Sequence, residues 1–388
     1  MAVNGLTQIR NNNILAIFNE IVHTDGILRS EISERTGISL MTVGKIMDML
    51  LTRNIVYEQE YSAPHAGRKP AQAFLNAHEW WICVFSITDR VKFNLLNLDL
   101  KVTFSGESLP VGTDWELCFQ DAISQVKDHI AAKRLDETHL IGVGVSAPAP
   151  YNAAKDRVAC PKRPNLEKLK IGKLLQENFN TALMIDEDVK LAAVAALNTY
   201  PEYASQDLLY LYVGIGVGGV LLQKGEIYRG ADNYAGDIGQ FLFPDGTTVE
   251  DRLSWDTLRA QLAQFNIDID SAELPPAGER DPMLNRVVED YAYTMALAAY
   301  NAACFASPAA IVIDGRYHPL GKEFYDAVRS RFYKFYELYE RHRPKLHFSF
   351  GGMDSAVLGL SEAIRKKWIL QYQAPEKRKA APRRASAR

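Results

Sequence analysis

LYVGIGVGGVLL, residues 211–222, carries the question on which the fold turns. An apolar run enters a turn where Gly214, Gly216 and Gly218 alternate, Gly219 follows, and apolar residues resume. Such a turn lets backbone approach a phosphate closely. Glycine runs equally serve tight hairpins and close strand packing. Other apolar runs have the same character: HLIGVGVSAP (139–148), ALMIDED (182–188) and AAIVIDG (309–315) all end in polar or glycine residues. Buried strands of α/β folds, with functional groups at their C-terminal ends, look like this. WICVFSITDRVKFNLLNLD (81–99) predicts a β-hairpin, and VEDYAYTMALAAYNAACF (288–305) a helix. Over residues 80–360 the pattern predicts two α/β lobes with a cleft between them.

The chain before these lobes is different. NNNILAIFNEIVHTDG (11–26) places Ile14, Leu15, Ile17, Phe18, Ile21 and Val22 on one helical face, closed by Gly26. Two short helices then flank RTGIS, with Ser30 and Ser39 as candidate caps and Gly37 as the turn. In the second helix Val43, Ile46, Met47 and Leu50 face inward, leaving Leu40, Met41, Thr42, Gly44 and Lys45 outside. Residues 55–75 predict two strands joined by a basic loop containing Arg68, Lys69 and Pro70. This order is that of a winged helix-turn-helix. The helix from Ser39 would enter a major groove, with Met41, Thr42 and Lys45 at base edges and Arg68 and Lys69 at the backbone or minor groove. A small helical protein-interaction domain is the blander alternative. Seven Lys/Arg face seven Asp/Glu over residues 1–75, so one copy predicts little nonspecific affinity; a dimer on two half-sites would offset that.

The totals exclude several classes. The 388 residues are 47% hydrophobic and 23% charged with net charge −3, ordinary for a globular protein. No apolar run approaches the ~20 residues of a membrane helix, and the N-terminus lacks a secretory apolar core. Cys83, Cys118, Cys160 and Cys304 are widely spaced, predicting reduced thiols, a cytoplasmic setting and no structural zinc. From Arg365 onward nine Lys/Arg meet one acid, so residues 370–388 predict a solvated basic tail, either solubilising or an added contact to DNA phosphate. The expected division is 1–75, 76–369 and 370–388.

GVGVSAP, PNL, DEDVKLAA, YVGIGVGGVLL, RGADNYAGDIGQ, VEDRLSW and FGGMDSAVLGL follow one another in this order behind the winged helix. Together they resemble the ROK family of sugar kinases and sugar-responsive repressors, from about Thr7 to about Ile369. The resemblance implies an actin-like (ribonuclease H-like) two-lobed ATPase fold. It places the catalytic aspartate of the kinases at Asp188. The first phosphate motif of those kinases, Asp-x-Gly-Gly-Thr, falls on FSITD (85–89), where Phe85 replaces the aspartate and Ile87 and Thr88 the glycines. A phenylalanine cannot support hydrated Mg²⁺, and two side chains crowd the phosphate approach. In the second glycine loop Ile215 stands where Thr is common. The chain is therefore expected not to be an enzyme and to bind no cofactor.

For the sugar side, the resemblance assigns effector contacts to Asn165, Asp188, Asp237, Gln240 and Glu250. Asp237 replaces a usual Glu, Lys190 a usual Asn, Ala147 a usual Gly, and Gln240 a His that ligates zinc. FLFPDGTTVEDRL (241–253) lacks the accompanying cysteines, so no metal is expected. Lys190 is either a helix-face residue or an anchor suited to an acidic or phosphorylated sugar. The partners implied are double-stranded operator DNA, a small carbohydrate-like effector and further copies of the chain, as homodimer or homotetramer. Alternatives are an active sugar kinase with a DNA-binding head, and a repressor that senses a protein.

Overall fold

The computed structural model describes residues 2–60, 71–110, 114–271, 273–337 and 341–371. Arg68, Lys69 and the basic tail beyond residue 371 lie outside the described residues.

The N-terminal unit comprises α1 (Ala2–Val22), β1 (Ile27–Leu28), α2 (Arg29–Thr36), α3 (Leu40–Thr52), β2 (Val56–Glu60) and β3 (Ala71–Leu75), with sheet order β1-β3-β2. Burial of Ile14, Ile17, Phe18 and Ile21 on α1 against Val43, Met47 and Leu50 on α3 holds the helices together. Gly37, at φ +69, turns the chain between α2 and α3. The Ser39 hydroxyl accepts the Thr42 amide at 3.4 Å, capping α3. Ser30, expected to cap α2, instead sits inside its first turn. The helix begins at Arg29 directly from β1, and the Glu31 carboxylate accepts the Leu28 amide at 2.9 Å. A reaching-back glutamate thus secures the chain entering the helix at the Leu28 amide, in place of a serine cap on its first-turn amides.

The first lobe contains β4 (Trp81–Ile87), β5 (Val91–Asn97), β6 (Val102–Glu107), α4 (Trp115–Lys133), β7 (Leu140–Ala147), a small hairpin of β8 (Tyr151–Asn152) and β9 (Arg157–Val158), α5 (Ile171–Asn178) and β10 (Leu183–Glu187). Its sheet runs β10-β7-β4-β5-β6; β4, β5 and β6 are antiparallel, and β7 and β10 join in parallel. Helix α6 (Asp188–Thr199) leads to the second lobe: β11 (Leu208–Val213), β12 (Val217–Gln223), β13 (Glu226–Ile227), α7 (Val249–Leu253), α8 (Trp255–Ala263), α9 (Pro282–Ala306), β14 (Ala310–Gly315), α10 (Gly321–Lys334) and β15 (Lys345–Phe348). That sheet, β13-β12-β11-β14-β15, repeats the first: three antiparallel strands, then two parallel ones on the other side of the first strand. Two such sheets in one chain make the actin-like, two-lobed fold.

Helix α11 (Gly352–Leu370) leaves the second lobe and returns across the first. It packs against α6, β7 and β4. Close approach is bought with missing side chains: a Cβ on Gly359 would overlap the Leu191 carbonyl of α6, and one on Gly144 would lie 2.6 Å from Leu360. One continuous apolar core therefore joins α6, α11, both sheets and the winged unit. Separate cores back the first sheet with α4 and the second with α9 and α10. Among the described residues no helix is long and apolar enough to cross a membrane.

Candidate functional site

The glycine hairpin closes on itself. Gly214 N–H donates to the Gly216 carbonyl at 2.9 Å, and the Trp255 amide donates to the Gly214 carbonyl at 2.6 Å. The Val217 amide is also taken: it donates to Glu250 Oε2 at 2.9 Å. Gly219 and Gly236 let the 229–240 segment lie on β12, since a Cβ on Gly236 (φ +94) would overlap the Gly219 carbonyl. These glycines serve backbone packing.

The matching hairpin in the first lobe is closed more firmly. Phe85 is fully buried, with ring centroids of Phe93, Phe119 and Phe179 at 6.5, 6.0 and 6.2 Å. Its turn is held by the Thr88 amide donating to the Arg90 carbonyl at 2.9 Å. Phe85 is thus enclosed by hydrocarbon.

Polar groups gather where the lobes meet. Asp186, Glu187 and Asp188 lie at the C-terminal end of β10 and the start of α6, where strand-end ligand sites form in open α/β sheets. Asp188 accepts the Val189 amide at 2.6 Å. Burial, then the Glu187 charge, push its carboxyl up to about 7, against the opposing effects of that amide, Arg163 and Lys190. Glu187 is raised by burial and drawn back by Lys190. Lys190, 2% exposed, donates from Nζ to Glu187 at 2.5 Å and to the Asn233 carbonyl at 2.6 Å. It is a buried ion-pair partner tying α6 to the second lobe.

Of the remaining residues expected at the effector site, Glu250 and Asp237 join this charge cluster. Glu250, on α7, pairs through Oε1 with Lys162 Nζ at 2.7 Å, and Lys162 also donates to the Ile215 carbonyl at 2.9 Å. The loop after β9 is thereby joined to the second lobe. Asp237, an exposed residue, precedes the short turn Ile238–Gln240; partial desolvation and the Glu250 charge raise its carboxyl, with Lys190 opposing. Asp188 and Asp237 thus share Lys190 as an electrostatic neighbour, and Asp237 also senses Glu250. Gln240 is exposed at the end of that turn. Asn165, at φ +66, accepts Lys168 Nζ at 2.6 Å.

Several residues here were not singled out from the sequence as site residues. Arg229 grips Asp186 with both terminal nitrogens, at 2.5 and 3.2 Å, and Asn233 at 2.9 Å. Arg163 donates to the Lys162 carbonyl at 3.2 Å, while its buried Nε has no hydrogen-bond partner. The signals were present: Arg229 opens the RGADNYAGDIGQ stretch, and Lys162 and Arg163 form a basic pair between two prolines.

On the winged unit, Ser39, Leu40, Met41 and Lys45 are exposed along the first turns of α3, with Met41 71% accessible. The Thr42 hydroxyl lies 3.0 Å from that of Ser39. Arg29, nearby, is tied by salt bridges to Asp48 and Glu58.

The head-and-body arrangement is the fold shared with a solved ROK regulator, and the body alone is shared with solved ROK sugar kinases. The ROK family model matches residues 92–366, and the chain belongs to the ROK family. A xylose repressor of Caldicellulosiruptor bescii is 23% identical over 236 residues, covering 60% of this chain and 59% of that protein. A xylose repressor of Staphylococcus xylosus is 21% identical over 378 residues, covering 93% and 96%. Among solved structures, a ROK family transcriptional regulator described as a homologue of the E. coli Mlc protein superimposes with TM-score 0.71 at 14% identity, over 94% of this chain and all of that one. A ROK glucokinase of Streptomyces griseus, solved with glucose and AMPPNP, covers 74% of this chain at TM-score 0.57 and 16% identity, a likeness of fold.

Proposed function

We propose that the chain is a DNA-binding transcriptional regulator, a repressor of carbohydrate-utilisation genes whose kinase-like body binds a sugar-derived effector without phosphorylating it. The observation that carries this reading is the path of α11. Its middle abuts α6, the helix that begins at Asp188, and its end holds the winged unit. Arg365 donates to the Leu98 carbonyl at 2.9 Å and lies 5.4 Å over the Phe18 ring of α1. Trp368 lies tilted against Trp80, ring centroids 4.8 Å apart, with the Arg53 guanidinium over its ring at 4.4 Å. A change of lobe angle would move α11 and re-aim paired winged units, favouring one DNA-bound state. Relatives named as xylose repressors support this assignment, and a homodimer or homotetramer would present the paired heads.

The test is selection of fragments from the source genome with purified protein, followed by binding assays with and without sugars. A few sites near genes of one catabolic pathway, with affinity changed by a sugar of that pathway, are expected; absence of site preference under every sugar would remove the reading. Lys45→Ala and Thr42→Ala should impair operator recognition, and Arg68→Ala should weaken binding evenly across sequences.

The second reading, an active sugar kinase, rests on Asp188. A buried carboxyl near 7 suits a general base for a sugar hydroxyl. Against it stand Phe85 and the loop amides already engaged within the hairpin. ATP turnover with any hexose, abolished by Asp188→Asn, would favour the kinase.

A further inference from the structure

We infer that α3 reads thymine through its C5-methyl group, with Met41 as the side chain that touches the methyl and Gly44 as the gap that lets the helix approach the base edges. The inference rests on the reading of the chain as a DNA-binding regulator and specifies what its recognition helix recognises.

The argument begins with the two sides of α3. Val43, Ile46, Met47 and Leu50 point into the winged unit and are buried. The opposite stripe, spaced by three and four residues, is Met41, Gly44, Lys45 and Asp48, with Leu40 beside it in the first turn. In a helix-turn-helix this outer stripe meets the base edges, its N-terminal residues foremost.

The leading turn of the stripe is apolar. Met41 is 71% and Leu40 56% exposed, so both present hydrocarbon to water. Of the two charged groups further along, Asp48 is bound by Arg29 at 3.1 Å, which leaves Lys45 as the cation of the stripe. In the major groove the base pairs offer donors, acceptors and one hydrocarbon group, the thymine methyl. Met41 brings no strong donor or acceptor to that groove, and its flexible thioether chain suits contact with the methyl. Lys45, one turn on, suits the O6 and N7 acceptors of a guanine.

Gly44 is an independent observation. It lies in the interior of a 13-residue helix, where glycine is a poorer helix former than alanine. Packing within the protein does not ask for it: an added Cβ would meet only an Arg29 guanidinium nitrogen, at 3.9 Å, an ordinary contact. Gly359 on α11 and Gly144 on β7 are different, because a Cβ at either would collide with a neighbouring element. The missing side chain of Gly44 therefore leaves outward space, one turn after Met41 and next to Lys45. Bare backbone there lets a base edge come close, as glycine does wherever backbone must approach a ligand.

The experiment starts from a synthetic duplex library with a random core of about 20 base pairs, long enough for two half-sites one helical turn apart. The full chain selects its preferred sequence with and without added sugars. That duplex is then remade with uracil replacing thymine one position at a time, which removes the methyl and keeps every hydrogen-bonding atom. At one or more positions in each half-site, uracil is expected to weaken binding about fourfold, the effect of leaving one carbon group unburied. Met41→Gln, similar in length but polar, should erase the thymine–uracil difference there, whereas Met41→Leu should keep it. Gly44→Ala should raise the melting temperature of the chain and still weaken binding to the selected duplex, with little change on random DNA. A Gly44→Ala protein that binds the selected duplex as tightly as the parent would overturn the role of Gly44. Uracil and thymine duplexes bound equally at every position would overturn methyl reading and leave DNA binding intact. Selection of no sequence under any sugar would overturn both.

Discussion

The two lobes repeat one sheet topology, and their first hairpins ended in different conditions. In the first lobe, β4 and β5 meet at a turn without glycine, beneath a cluster of four phenylalanines. In the second, β11 and β12 keep four glycines around their turn, yet the amides at Gly214 and Val217 are spent inside the protein. One hairpin turns on bulky apolar packing; the other turns on glycines whose neighbouring amides are engaged within the protein. Glycine identity therefore reports close approach of something, and here it is the protein itself: the Tyr212 ring at Gly214, Glu250 at Gly216, and Ile238 with the Gly236 carbonyl at Gly219, while Gly218 would meet only Val189 at ordinary contact distance.

The largest effect should come from the first hairpin. Phe85→Ala would leave a cavity among three aromatic rings and is expected to cost about 3–5 kcal/mol, measured by urea unfolding. Phe85→Asp should destabilise comparably and yield no ATP turnover, because a carboxylate there is surrounded by hydrocarbon. A stable Phe85→Asp protein that hydrolyses ATP would break the comparison.

In the second hairpin the glycines should separate by packing. Gly236→Ala puts a Cβ into the Gly219 carbonyl at a positive φ and should cost about 3 kcal/mol. Gly216→Ala brings its Cβ only to 3.2 Å from Glu250 Oε2 and should be much milder. Equal losses in thermal unfolding would mean that the glycines share a role other than strand packing.

Much of this was legible beforehand. Apolar runs ending in glycine or acid marked the central strands, and the Ser39 cap and Gly37 turn marked α3. The charge pairing at the lobe junction was not legible, because it joins residues far apart: Lys162 with Glu250, and Arg229 with Asp186. The sequence shows which side chains are charged; which charge each one meets depends on how the lobes close. The Ser30 cap failed for a local reason, since Glu31 secures the chain entering that helix at the Leu28 amide.

Asp188 offers a pH test of that junction. Its folded pKa is raised from an ordinary 3.8 to about 7, so the folded state holds the proton more tightly than the unfolded chain. Stability from this group is therefore greatest below about pH 4 and falls as pH rises towards about 7. Asp188→Asn keeps an acceptor for the Val189 amide and removes the charge. At pH 8 the ligand-free variant should exceed the parent by up to about 4 kcal/mol, with near parity at pH 4. The same variant should lose its response to effector while retaining operator binding. A pH-independent difference would mean that Asp188 is solvated as an ordinary carboxylate.

The smallest effect should come from Lys162, and it bears most directly on how the lobes communicate. Its bridge to Glu250 joins side chains that are 45% and 24% exposed, so Lys162→Met should cost less than about 1 kcal/mol. The local consequence should be larger than the global one. Lys162 bonds both Glu250 and the Ile215 carbonyl, and Glu250 in turn holds the Val217 amide. Without the lysine, hydrogen exchange should rise at Val217 and around residues 160–166, while amides in β7 and β14 stay protected. Uniform protection across both sets would show that the bridge is not what joins the lobes, and would shift the burden to the buried Lys190 contact with Asn233.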